Sequence, residues 1–178
     1  MKKIYILSYL LFCLSSQAMA SDQGKIFPEM SGKTFAGTKV DIPNDLKGKI
    51  SFITLGFGRE SSKISEIWVK EFLKKYYKVK GVDFYIFPML GDSIFVKGVS
   101  KVLEPTLRSQ TPPEGQKHVM LVYQPLEPIK KYLDHSEDEK TYFYLVNKKG
   151  EIVWSDRGKF TLVKFANFKK NMTKLLKR

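Results

Sequence analysis

The sequence predicts an α/β domain of three layers, a central mixed β-sheet with helices on both faces. A β-branched and aromatic run at Ser51–Phe57 passes through a short turn into a segment where Ile64, Ile67, Trp68 and Phe72 recur at helical spacing. That strand-to-helix order repeats downstream, and the chain then closes on two adjacent strand patterns and a helix. Strands alternating with helices build a parallel sheet, and a tight hairpin adds antiparallel members to it.

In chain order, residues 21–42 carry turn signals at Pro28, Gly32 and Gly37 and lead to the first strand, 50–57. The next helix is expected over Ser62–Lys78. "VDFYIFPM", 82–89, is a second strand, and 92–108 a second helix despite Gly98 and Pro105, which weaken helical interiors. The loop "SQTPPEGQK" precedes a third strand, "HVMLVY", and a short helix over 127–133. "TYFYLVNKKGEIVWSD" reads as a β-hairpin turning at 148–150. Along its first strand Tyr142, Tyr144 and Val146 share one side, Phe143 and Leu145 the other. With both faces covered, these aromatics, Trp68 and Trp154 are expected in the core. The last element is a basic amphipathic helix, about 162–177, with Leu162, Phe165, Phe168, Met172, Leu175 and Leu176 at helical spacing. Strand and helix first, antiparallel hairpin and helix last: this is the order of a thioredoxin-like domain.

Composition narrows the chemistry. The 178 residues include 31 Lys plus Arg against 18 Asp plus Glu, a formal charge of +13, and a hydrophobic fraction of 43% that can build a core without staples. Residues 1–20 combine Lys2 and Lys3, an apolar stretch from Ile4 to Leu14, and Ala18-Met19-Ala20, the arrangement of a cleavable secretory signal. Cleavage between Ala20 and Ser21 would leave residues 21–178 as a single exported domain in the periplasm, possessing a charge of +11 once Lys2 and Lys3 are gone. The apolar stretch is short for a membrane span. Cys13 is the one cysteine, and Phe12 before it fits a lipoprotein signal poorly. The mature chain would then hold no thiol, which excludes disulfide exchange, thiol peroxidase chemistry and thiolate metal sites. No glycine-rich phosphate loop, carboxylate pair or metal-ligand spacing is present, so no cofactor is expected. Of the partners that basic charge admits, nucleic acid is set aside by the signal and by the lack of a nucleic-acid motif. An anionic membrane surface and an acidic protein client remain.

"KISFITLGF", "GRESSKI" and "YFYLVNKKGEIVW" resemble the corresponding parts of thioredoxin-like and peroxiredoxin-like domains, whose helix start carries a cysteine pair. On that pattern Arg59 and Ser62 stand where the two thiols would be. The cis-proline that precedes the hairpin in those domains is missing as well, since the chain reads "DEKTYFYLV". A narrower set of blocks, "FPEMSGKTFAG", "DLKGKISFI", the Trp68-bearing helix, "TPPEGQKHVMLV" and "YFYLVNKKGEIVW", resembles in order the mitochondrial assembly-factor family that chaperones the proton-channel subunit a of ATP synthase. Phe27, Pro28, Gly32, Lys33, Thr34, Leu46, Gly48, Lys49, Ser51, Trp68, Tyr144, Leu145, Val146, Ile152 and Trp154 carry the match. The resemblance implies a thioredoxin-like fold used without a cysteine pair, in binding or assembling a membrane-associated protein client. A secretory signal in place of a transit peptide leaves room for a different client.

Two readings stand at "GRESS". Either Ser61 or Ser62 caps the helix, a contribution of about 1 kcal/mol, or Arg59, Ser61, Ser62 and the free N–H groups bind an anion or a client carboxylate. A serine nucleophile needs an adjacent base, and His118 and His135 lie in distant segments. "LDHSEDE" clusters carboxylates around His135 without the glycine turn of a hard-cation loop and reads as a solvated acidic loop. His118 reads as structural. Lys164, Lys169, Lys170, Lys174, Lys177 and Arg178 form a candidate surface for an anionic membrane or acidic partner, set against the plainer reading of solvated lysines on a packed helix. The expected function is that of an exported, non-enzymatic assembly factor for a membrane-associated client. The alternative is a thioredoxin- or peroxiredoxin-like oxidoreductase working without its own redox cysteine.

Overall fold

A computed structural model of the chain describes residues 22–135 and 141–177. The expected signal with its Ala20–Ser21 junction, Arg178, and residues 136–140 with most of the acidic loop lie outside them.

The N-terminal segment is more ordered than its turn residues imply. It contains an antiparallel hairpin of β1 (Met30–Lys33) and β2 (Lys39–Ile42), with Met30 opposite Ile42. Gly37 turns it with φ 83°, a left-handed value that glycine adopts at no steric cost, and Thr34 N–H closes the turn on the Thr38 carbonyl at 2.9 Å.

β3 (Ile50–Gly56), β4 (Val82–Pro88), β5 (Thr141–Val146) and β6 (Ile152–Arg157) form the central sheet in the order β4-β3-β5-β6. β4 runs parallel to β3 because α1 (Arg59–Tyr76) crosses between them. β5 runs antiparallel to β3 and β6 to β5, as the tight turn between them requires. "HVMLVY" is not a full ladder strand. It follows the outer edge of β4 through isolated parallel bridges, Ile86 with Val119 and Met89 with Val122. Met120 N–H donates to the Ile86 carbonyl at 3.1 Å and Val122 N–H to the Pro88 carbonyl at 3.0 Å. The edge of β4 is thereby covered.

The two faces of the sheet separate as period-2 alternation requires. Phe52, Phe143, Leu145 and Trp154 face α1 and α5 (Leu162–Leu176) and meet Trp68, Phe72, Phe165, Phe168 and Met172. The Trp68 ring stacks on Phe143 with centroids 4.6 Å apart. On the other face Ile53, Leu55, Tyr142, Tyr144 and Val146 pack under Phe27, Ile42 and Leu46, and under Ile129 and Leu133 at α4 (Leu126–Tyr132). Trp68, Trp154, Tyr142 and Tyr144 are all buried in the core. The structure is therefore the expected three-layer, thioredoxin-like arrangement of a mixed sheet between helices, and Arg59 and Ser62 lie in the first turn of the helix that follows the first sheet strand.

Two helices depart from expectation. Leu162 does not belong to the packing stripe of α5 and is 81% exposed. It starts the helix, rotated roughly 90° from the centre of the line made by Phe165, Phe168 and Met172. α2 (Ile94–Gln110), followed by the single turn α3 (Pro113–Gln116), runs through Gly98 and Pro105 as one helix, yet none of its described residues is fully buried. It leans through Leu107 on a small satellite cluster of Phe35, Val119 and Leu121. Among the described residues no helix is long and apolar enough to cross a membrane.

Candidate functional site

β3 ends at Gly56, and the chain enters α1 through Phe57 and Gly58. Gly56 is required there, because a Cβ at this position would lie 2.9 Å from the Ser61 Cβ. The first turn of α1 is thus pressed against the strand end, and Ser61 is buried in that contact. The helix begins three residues before Ser62, at Arg59, with Gly58 in extended conformation at the N-cap and no side-chain cap. Neither serine caps it, which corrects the capping alternative. Ser62 Oγ donates to the Arg59 carbonyl at 2.8 Å, while Arg59 and Glu60 are sound helix formers that extend the first turn, Glu60 complementing the helix dipole. Arg59 is exposed and forms no ion pair among the described residues.

Across the strand end stands an aromatic group that the sequence kept apart. His135, just after α4, stacks on Tyr142 with centroids 3.6 Å apart and planes at 11°, and Phe57 meets its ring edge-on at 5.2 Å. The His135 Nε2 and the Tyr144 hydroxyl are 2.6 Å apart, and the buried Nδ1 has no hydrogen-bond partner among the described residues. Among the described residues neither ring nitrogen is hydrogen-bonded to a serine. Burial, then the charges of Lys130 and Arg157, pushes the His135 pKa down to about 3, and the imidazole is neutral at physiological pH. Lys130 Nζ lies 6.0 Å from the Phe57 ring centroid. The end of β3 is thus followed within three residues by the exposed Arg59, while the half-buried Phe57 and His135 meet there over the buried Tyr142.

His118 is structural. Its Nδ1 faces the Phe84 carbonyl at 3.0 Å and Asp83 Oδ1 at 3.3 Å, two acceptors that fix the proton on Nδ1, and its ring stacks on Phe84 at 3.9 Å. Burial raises the Asp83 pKa, but hydrogen bonds from His118, Lys49 and the Phe84 N–H, with the Lys49 charge, outweigh it and hold the group at about 2.

The candidate lysines of α5 divide. Lys170, Lys174 and Lys177 are exposed. Lys169 is half-buried with its Nζ 5.7 Å from the Phe165 ring centroid. Lys164 is tied down, paired with Asp156 at 3.1 Å and donating to the Arg157 carbonyl, so it closes the end of β6 instead of offering a free cation. These lysines and the Arg59 turn belong to different parts of the fold. His135 escaped sequence reading because its approach to Phe57 depends on β5 pairing with β3; the one signal available was an isolated histidine six residues before an aromatic strand.

Comparison with known proteins gives a family and a fold. A family model described as ATP10 protein matches residues 10–175. No curated protein matches the chain. Among solved structures, a protein described as a putative thiol:disulfide interchange protein DsbE from Chlorobium tepidum is similar with a TM-score of 0.57 at 15% identity, covering 87% of this chain and 98% of its own. A putative protein disulfide isomerase from Bacteroides thetaiotaomicron gives 0.56 at 17%, covering 88% and 91%. BsSco, described as a member of the Sco family of cytochrome c oxidase assembly proteins, gives 0.55 at 11%, covering 84% and 93%. At these identities the likeness is one of fold.

Proposed function

The chain belongs to the ATP10 protein family, and from that premise we propose that it is an exported, non-catalytic assembly factor that binds a membrane-associated protein client, such as a subunit of ATP synthase, at the periplasmic face of the membrane. The observation that carries this reading is that the helix after β3, where the resemblance to thioredoxin-like domains would place a thiol pair, opens with Arg59 and Ser62 and no cysteine. The first turn of that helix carries the exposed Arg59, and the half-buried Phe57 and His135 rings meet at the same strand end. A cation and an aromatic patch can hold a client carboxylate and an adjoining apolar side chain without any covalent step. The sole cysteine, Cys13, lies in the secretory segment, so the mature chain brings no thiol to such a client.

The test is a photo-crosslinking residue at position 59 of a tagged chain, irradiated in intact cells and purified under denaturing conditions. A membrane protein should be recovered, and lost when the crosslinker sits at exposed Lys78 instead. Equal recovery from both positions, or recovery of soluble periplasmic proteins alone, overturns the assignment of this end as the client site.

A further inference from the structure

Surface helices ordinarily turn an apolar stripe inward and a polar face outward; α2 also carries an apolar face outward. Ile94 is 90% exposed, Val102 72% and Val99 44%, and Gly98 and Pro105 are exposed between and beyond them. On a helical projection these positions fall on one side, opposite the half-buried Val96, Ser100, Leu103 and Leu107. The strip is flat. A cavity beside it takes in Pro105 together with Lys101, Glu104, Arg108 and Gln116, and none of Ile94, Val99 and Val102 lines it.

Charge decides the occupant. The single acid of α2, Glu104, is neutralised by Arg108 at 3.0 Å. Arg108 lies over the Phe35 ring at the tip of the β1–β2 hairpin, and Gln116 Nε2 donates to the Arg108 carbonyl at 3.3 Å, so α2, the hairpin and the 116–119 segment form one side of the molecule. On that side Lys101, Lys117, Lys33 and Lys39 are exposed, and none has an ion-pair partner among the described residues. Lys33 and Lys39 stand directly opposite one another across the hairpin, a like-charge pairing that costs stability and is relieved by a surface of opposite charge. Glu114, Asp92 and Asp41 are exposed acids there.

We propose that this side lies on an anionic membrane, with Ile94, Val99 and Val102 dipping between headgroups and Lys101, Lys33, Lys39 and Lys117 meeting phosphates. Such an arrangement is that of an interfacial amphipathic helix supplemented by basic residues. It rests on the reading that the protein works at a membrane and names the surface that does so, in place of α5.

The mature chain is sedimented with vesicles of phosphatidylcholine containing phosphatidylglycerol, and with vesicles of phosphatidylcholine alone. The parent should pellet with the first only and be released as salt rises. Ile94→Ser with Val102→Ser should weaken binding about tenfold or more, and each of Lys33→Gln, Lys39→Gln and Lys101→Gln about fivefold. Melting temperature should hold, since these side chains are exposed. Because the vesicles contain no protein, the result is independent of the crosslinking at position 59. A parent that ignores anionic vesicles at low salt overturns the proposal, as does undiminished binding by the serine variant with loss in Lys170→Gln, Lys174→Gln and Lys177→Gln. A parent that sediments as a dimer and becomes monomeric in the serine variant also overturns it, assigning the strip to a second copy.

Discussion

Protonating His135 should unfold this protein from the inside. Its folded pKa of about 3 stands against an ordinary 6.5, so below pH 6.5 the unfolded chain takes up a proton that the native state refuses. Stability is then complete above pH 6.5 and falls by up to 1.36 kcal/mol for each pH unit until about pH 3, a ceiling of about 5 kcal/mol and about 2 kcal/mol between pH 7 and pH 5. Asp83 does not contaminate that window. Its pKa is held at about 2 against an ordinary 3.8, so its contribution is lost only between those values. Asp22, raised by burial, works in the opposite direction, and it is shared by parent and variant. The assay is urea unfolding at pH 7 and pH 5 for the parent and for His135→Phe. The variant leaves the Tyr144 hydroxyl without its partner and should lose about 1–3 kcal/mol at pH 7, but its loss between pH 7 and pH 5 should be smaller than the parent's by about 2 kcal/mol. Equal losses in the two proteins would refute the argument.

Other consequences are local. Gly56→Ala should destabilise by about 1–3 kcal/mol through its clash with Ser61, and Ser61→Gly in the same chain should recover part of that loss in a thermal melt; additive losses would show that the contact is not the cause. Trp68→Ala should cost about 3–5 kcal/mol, whereas Leu162→Asp should change stability by about 0.5 kcal/mol or less because Leu162 lies outside the packed stripe; unfolding by the second change would return Leu162 to the core. Arg59→Ala should leave the melting temperature unchanged and weaken client recovery, and an unchanged recovery would remove Arg59 from the site.

What the sequence made legible was whatever obeys a period. The strand at Ile50–Gly56, the hairpin of β5 and β6, and the split of Tyr142 and Tyr144 from Phe143 and Leu145 follow from alternation alone. Local chemistry was harder to read. Ser61 and Ser62 have the right identity for caps, but the press of α1 on Gly56 moves the helix start to Arg59. "HVMLVY" has the composition of a strand, yet it lies beyond Pro88 on an edge where only bridges form. Period also misleads at α2 and Leu162, where apolar residues at helical spacing face out, because spacing says which residues share a side and not what covers it. The His135 cluster is a purely tertiary product of three segments meeting.

The central claim is assembly without thiol chemistry, and it is tested most directly in cells that lack this chain by quantifying intact ATP synthase in their membranes on native gels. A deficit is expected, restored fully by a chain with Cys13→Ala and poorly by one with Arg59→Ala, at equal protein levels. A normal amount of intact complex without the chain, or a Cys13→Ala chain that is exported normally yet restores nothing, would contradict it.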